Sequence, residues 1–166
     1  MKQLQQVGLN FASTIVGNDG ANAIANGLQG LQQLQQVVLH FATTKVGDDG
    51  AIAIANGLQA LKQLQQVGLN FARTKVGKTN VGDDGAIAIA NGLQALTQLQ
   101  EIALYFTDSE VGDRGAILQA LKQLQQITLS TSVGDDGANA IANGLQGLQQ
   151  LQQVALYFAL LEHPSW

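Results

Sequence analysis

The acidic side chains of this 166-residue chain recur in pairs, and paired carboxylates are able to bind metal ions. Each pair follows a Val-Gly dipeptide, at Asp48-Asp49, Asp83-Asp84 and Asp135-Asp136. Calcium requires about six to eight oxygen ligands, whereas each segment offers one pair at the start of an expected helix. We therefore interpret the pairs as helix-capping residues, and we expect neither a metal site nor a cofactor.

The other reactive residue types do not form a recognisable catalytic set. His40 and His163 are far apart in the sequence, and no serine lies in the G-x-S-x-G turn that exposes a hydrolase nucleophile. The sequence contains no cysteine, which excludes a thiol nucleophile, a thiolate zinc site and a disulfide framework. The repeated Gly-Asp-Asp-Gly lacks the lysine and the spacing of a phosphate-binding loop. We expect no catalytic residues and no enzymatic activity.

Charge and hydropathy restrict the class of partner. Twelve acidic residues against eight basic ones give a net charge of −4, which argues against binding to nucleic acid. No apolar run approaches the roughly 20 residues of a membrane span, and the first residues lack the apolar core of a signal peptide. We expect no membrane association. These absences favour the cytoplasm, although a chain without cysteine suits every redox compartment.

The chain consists of repeated units, each with two hydrophobic periods. The motif Leu-Gln-Gln-Val-x-Leu or a close variant begins at Leu4, Leu34, Leu64, Leu99, Leu124 and Leu151, at spacings of 30, 30, 35, 25 and 27 residues. Val37 and Leu39 alternate as in a short strand. A helical stripe follows, at Ala51, Ile54, Ala55, Leu58 and Leu61. Asp48 is predicted to cap this helix and Asp49 to face its positive end.

This pattern of L-x-x-V-x-L followed by V-G-D-D-G-A resembles the leucine-rich repeats of the ribonuclease-inhibitor-like subfamily. The resemblance covers residues 4 to about 158 and implies one domain, residues 1–166, of about five and a half repeats, with strands starting near 4, 34, 64, 99, 124 and 151. It implies an α/β solenoid, a horseshoe arc with a parallel β-sheet on the concave face and helices on the convex face. The loop asparagine of the family is replaced here by hydroxyl residues, which we expect to bond to the backbone in its place: Thr14, Thr44, Thr74 and Ser109.

The fourth unit is shorter than the others by five residues within its helical segment. The deletion removes about 1.4 turns of helix. We therefore predict a helix of at most one or two turns over residues 116–121. The same deletion predicts a depression beside this helix, lined by residues such as Ile89, Leu93 and Ile141.

Comparison of the units separates core positions from surface positions. A phenylalanine recurs in five units and predicts a stacked core ladder, at Phe11, Phe41, Phe71, Phe106 and Phe158. The outward strand positions vary more and include aromatic and amide side chains. We predict that a protein partner of unknown identity binds there, to Gln36, His40, Gln66, Asn70, Glu101, Tyr105, Gln126, Ser130 and Tyr157. The glutamines are equally typical of a solvated sheet, since stacked amides can bond to one another.

Two functional hypotheses follow. The first is a protein-binding module that uses the concave sheet and its loop rim. The second is a structural, self-assembling element, or a fragment of a longer receptor, effector or GTPase-activator-like array, for which Arg73 and Arg114 are the two available arginines. The near identity of the units favours the second hypothesis. The first strand, which carries Leu4, Val7 and Leu9, has no preceding unit, so its edge predicts a homodimer contact.

Overall fold

The computed structural model of the chain describes residues 4–74, 81–107, 125–132 and 152–159. This part contains the following strands and helices in chain order: β1 (Gln6–Asn10), α1 (Asn18–Gln29), β2 (Gln36–His40), α2 (Asp48–Gln59), β3 (Gln66–Asn70), α3 (Asp83–Gln94), β4 (Glu101–Phe106), β5 (Gln126–Ser132) and β6 (Gln153–Ala159). Each strand begins two residues after the motif leucine that was expected to start it. The leucine belongs to the turn before the strand, because its N–H donates a hydrogen bond within that turn. The N–H of Leu34, for example, donates to the carbonyl of Leu31.

The strands form one parallel sheet in the order β1-β2-β3-β4-β5-β6. Equivalent residues of neighbouring units are paired, so that Leu39 lies opposite Leu69 and Leu69 opposite Leu104. Parallel neighbours require a crossover connection, and α1, α2 and α3 provide it for the first three pairs of strands. The predicted α/β class, with a parallel sheet and a repeat-like alternation of strands and helices, is confirmed. None of these three helices has the length and apolar character needed to cross a bilayer.

The core lies between the sheet and the helices. Val37, Leu39 and their equivalents on the neighbouring strands point into it. The predicted helical stripe is buried as expected, at Ala51, Ile54, Ala55 and Leu58 in α2 and at Leu61, which lies two residues after the end of the helix. At the strand end in β4 and just beyond it in the first three strands, the rings of Phe11, Phe41, Phe71 and Phe106 stack with centroid distances of 5.6, 5.5 and 6.0 Å. The phenylalanine ladder is therefore confirmed for these four rings.

Glycine residues let neighbouring helices pack closely. A Cβ atom on Gly57 of α2 would lie 2.9 Å from both the Cβ atom and the carbonyl oxygen of Ala25 in α1. In the same way, a Cβ atom on Gly92 of α3 would lie 2.9 Å from the carbonyl oxygen of Ala55 in α2. Glycine is thus required at these helix positions by the helix–helix contact, although it lowers helix propensity by about 1 kcal/mol relative to alanine.

The threonines of the loops bond to the backbone of their own turn. The Thr14 hydroxyl donates to the carbonyl of Phe11 at 2.7 Å, and the Thr44 hydroxyl donates to that of Phe41 at 2.6 Å. These bonds confirm the predicted side-chain-to-backbone contacts at two positions. In the third unit, the Thr74 hydroxyl lies 3.5 Å from the N–H of Val81, which donates to it.

Several sequence-based predictions fall outside the described residues. They are the short helix over 116–121, the depression that includes Ile141, the hydroxyl of Ser109, the ring of Phe158, and the positions of Arg114, Asp135-Asp136 and His163. For the depression, the structure describes only its two expected neighbours in α3. Ile89 and Leu93 are both buried in the core.

Candidate functional site

The face of the sheet that points away from the helices, here called the open face, carries three rows of side chains. In-register parallel pairing brings equivalent residues of successive strands side by side, about 4.8 Å apart. On β2, the three rows are represented by Gln36, Val38 and His40. The first row continues through Gln66, Glu101, Gln126 and Gln153, and the third through Asn70, Tyr105, Ser130 and Tyr157. All nine residues predicted to bind a partner therefore lie in the first and third rows of one face.

The middle row forms the floor of a recess. It consists of Val38, Gly68, Ala103 and Thr128 on β2 to β5, so that the smallest residue lies between two larger ones. Because Gly68 has no side chain, a depression of about 250 Å³ remains above β3. This Gly68 recess is lined mainly by carbon atoms and is bordered by the following residues: Val38, His40, Gly68, Leu69, Asn70, Ala103 and Tyr105.

A second depression, here called the amide recess, adjoins the first along the strand direction. It shares Val38, Gly68 and Ala103 with the Gly68 recess and has a volume of about 190 Å³. Its distinctive border is the first row: Gln36, Gln66, Glu101 and Gln126. Within this row, Gln66 Nε2 donates to Glu101 Oε2 at 3.1 Å, which holds the carboxylate at the border. Polar and apolar atoms contribute about equally to this lining.

Comparison with known proteins adds no identification. The chain matches no model of a known protein family, and no curated protein matches it.

Some predicted site residues are already engaged within the molecule. The Asn70 side-chain oxygen accepts the N–H of Ala72 at 2.9 Å, which fixes the turn that follows β3. The Ser130 hydroxyl lies 2.8 Å from that of Thr107. Tyr157 is 59% exposed at the C-terminal side of the sheet. His40 and Tyr105, in contrast, are half-buried and stand on either side of the Gly68 recess.

Asp48, in the first acidic pair, serves as a cap, but not in the way the sequence predicted. Asp48 was expected to cap its own helix, α2, whereas the N-cap of α2 is Gly47. Asp48 Oδ1 instead accepts the N–H groups of Gly82 at 2.8 Å and Gly85 at 2.9 Å, at the start of α3. Asp48 thus satisfies free amides of the next unit, which the sequence alone did not reveal.

The first unit contains the same arrangement with an amide in place of the carboxylate. Asn18 Oδ1 accepts the N–H groups of Gly47 at 2.8 Å and Gly50 at 3.2 Å. The position after Val-Gly is asparagine in the first unit and aspartate at Asp48 and Asp83. Both side chains offer an oxygen acceptor of the same reach, and this shared property is the sequence signal that points to a cap. Among the residues that the structure describes, no cluster of three or more His, Asp or Glu side chains is able to hold a metal ion.

Loop residues on the rim occupy a left-handed backbone conformation. Ser13, Thr43 and Arg73 have φ values of 60°, 58° and 54°, respectively. Their N–H groups donate to carbonyls of the next unit, at Ala42, Ala72 and Thr107. This ladder extends the sheet hydrogen bonding past the strand ends and compensates for a conformation that costs roughly 1–2 kcal/mol per residue. The loops on this rim are therefore aligned from unit to unit in the same register as the strands.

Proposed function

We propose that the chain is a leucine-rich-repeat protein of the ribonuclease-inhibitor-like type that binds another protein through its open face. The relative widths of the two layers support a horseshoe arc. Strands in a sheet are about 4.8 Å apart, whereas packed helices are about 8–10 Å apart. A helix layer wider than its sheet bends the array, and the open face then lies on the concave side.

The observation that carries the binding proposal is the Gly68 recess between His40 and Tyr105. Aromatic side chains beside a recess are typical of the anchor positions at protein interfaces. The recess and the neighbouring amide recess measure about 250 and 190 Å³. Pockets for small molecules commonly occupy about 300–1,000 Å³ and enclose their ligand. Each recess is therefore better suited to one side chain of a protein than to a complete small molecule.

Alanine substitutions on the two sides of the molecule test this proposal. Peptides selected from a random linear library displayed on phage serve as the probe. We expect the double variant His40→Ala, Tyr105→Ala to weaken their binding at least tenfold, as the loss of interface anchors does. The matched control is Asn56→Ala, Lys62→Ala, at two exposed positions on or next to α2. Equal losses from both double variants would contradict the proposal.

Self-assembly is the second candidate function, and the exposure of the first unit favours it. Leu4 is 53% exposed, whereas its equivalents Leu34 and Leu64 are fully buried. Ile15, in the loop before α1, is 87% exposed. Among the strands that the structure describes, β1 is at an edge of the sheet, and an edge strand presents backbone groups that a second copy is able to pair with. The proposed contact is a homodimer through β1.

Sedimentation velocity over a range of concentrations tests the dimer. Lysine on an edge strand opposes strand pairing, and a Cβ atom on Gly8 would meet no atom within 4 Å. We therefore expect Gly8→Lys to lower the dimer fraction without lowering stability. Asn56→Lys is the control, because Asn56 is exposed on α2 and lies away from β1. A wild-type chain that remains monomeric at high concentration would exclude this function.

A further inference from the structure

We propose that the open face binds an extended peptide segment with an apolar side chain in the Gly68 recess and a lysine or arginine beside Glu101. This inference rests on the proposed function, because it specifies the partner chemistry of the same surface. It is carried by the lining of the Gly68 recess, by the charge of Glu101 and by the spacing between them.

Packing does not require a glycine at position 68. A Cβ atom on Gly68 would lie 3.5 Å from Val38 Cγ1 and Cγ2, which is ordinary van der Waals contact. Glycine inside a strand costs roughly 0.5–1 kcal/mol relative to alanine, so Gly68 weakens β3 without relieving a clash. What Gly68 contributes is the depression itself. Its lining is mainly carbon, and a polar group placed there would lose hydrogen bonds to water, so the matching side chain is apolar.

Glu101 supplies the charge that selects the second side chain. It interrupts the glutamine row and carries the one formal charge among the outward side chains that the structure describes on the six strands. The hydrogen bond from Gln66 holds its carboxylate at the border of the amide recess. A fixed carboxylate attracts a basic side chain and repels an acidic one, and such charges determine specificity more than affinity. The net charge of −4 adds to the same preference.

The spacing along β4 specifies the form of the peptide. Ala103, which lies at the floor of both recesses, is two residues after Glu101. Residues two apart on a strand are separated by about 6.5–7 Å. An extended peptide that lies along the strands repeats its side chains at the same distance, so its apolar and basic residues are expected two positions apart. A helical ligand would instead present neighbours three or four positions apart.

The experiment is a selection from a random linear peptide library on phage against the full chain, followed by fluorescence anisotropy with the enriched peptides. We expect the peptides to share an apolar residue two positions from a lysine or arginine. Gly68→Val fills the recess and should weaken binding at least about tenfold, as the loss of an interface anchor does. The matched control is Gly8→Val, the same substitution in the equivalent position of β1, which should leave binding unchanged.

Glu101→Gln tests the charge separately from the shape. This variant extends the row already formed by Gln36, Gln66 and Gln126, so the fold should be retained. A partly exposed ion pair contributes modestly, and we expect binding to weaken about two- to fivefold at low salt. The salt dependence of the remaining binding should also decrease.

The possible outcomes separate this inference from the proposed function. Peptides that lack the spacing or carry acidic residues, yet lose binding in Gly68→Val, would overturn the inference and leave the proposed function standing. Peptides that bind Gly68→Val and the His40→Ala, Tyr105→Ala variant as tightly as the wild type would overturn both. A parallel selection against Gly68→Val gives the background. If the wild type enriches no peptide above that background, the inference is also wrong, because the recess then anchors nothing.

Discussion

Gly57 in α2 and Gly68 in β3 are the same residue type in two neighbouring elements, with opposite surroundings. A Cβ atom on Gly57 would lie 2.9 Å from the backbone oxygen of Ala25, so the helix contact excludes any side chain there. A Cβ atom on Gly68 would make only ordinary contact with Val38. The first glycine therefore stabilises the packing of units, whereas the second leaves a surface open. The comparison shows that the helix layer and the open face are under different constraints, although both repeat with the same period.

The largest expected effect concerns the two faces of the sheet. Phe41 is fully buried and stacks on both Phe11 and Phe71. We expect Phe41→Ala to lower the free energy of unfolding by about 3–5 kcal/mol, as core truncations of phenylalanine do. Tyr105→Ala, at a half-buried position of the open face, should change it by no more than about 1 kcal/mol. Urea denaturation measures both, and the reverse order would show that the faces are misassigned.

The next effect tests the close approach of the helices. Gly57→Ala raises helix propensity by about 1 kcal/mol but overpacks the contact with Ala25, at a cost of about 1–3 kcal/mol. We expect net destabilisation of up to about 2 kcal/mol in thermal or urea denaturation. The control is Gly27→Ala in α1, where a Cβ atom would meet nothing within 4 Å. That variant should gain about 0.5–1 kcal/mol, and loss of stability in it would undermine the packing explanation.

A smaller effect is expected at the caps that join units. Asp48→Ala removes the acceptor for the N–H groups of Gly82 and Gly85. Loss of a helix cap costs about 1 kcal/mol. Asp48→Asn retains an oxygen acceptor, as Asn18 does in the first unit, and should preserve most of the stability. If both variants lose the same free energy of unfolding, the charge rather than the hydrogen bond is responsible.

The smallest effect has the opposite sign. Gly68→Val places a β-branched residue where β2 already carries Val38, and valine favours strands. We expect this variant to gain about 0.5–1 kcal/mol in the free energy of unfolding. The same substitution is expected to weaken peptide binding at least about tenfold, so stability and binding should change in opposite directions. A destabilised Gly68→Val would mean that β3 needs its glycine for packing.

Much of the fold followed from residue patterns alone. Alternation at Val37 and Leu39 predicted the strand, and the stripe from Ala51 to Leu61 predicted the buried side of α2. Each depends on a local period, which the backbone geometry of strands and helices converts directly into a face. The rows of the open face followed as well, because identical units in register bring equivalent positions together.

The sequence did not reveal which helix each capping side chain serves. Asp48 was assigned to α2 because the two are adjacent in the chain, but its carboxylate oxygen bonds to amides of α3. The first residues of a helix expose amides to any oxygen within reach. Whether that oxygen comes from the same unit or from the preceding one depends on how the units stack.

The sequence by itself determined the alternation of strands and helices, the buried columns and the identity of the outward residues. Only the tertiary structure decided that Gly57 is a close-packing position and Gly68 an open one, and that Asp48 joins two units. The physical reason is that periodicity assigns a residue to a face of its own element, whereas distances between neighbouring units determine what that face meets. Helix packing fills the space beside Gly57, but in the part of the chain that the structure describes no element covers Gly68.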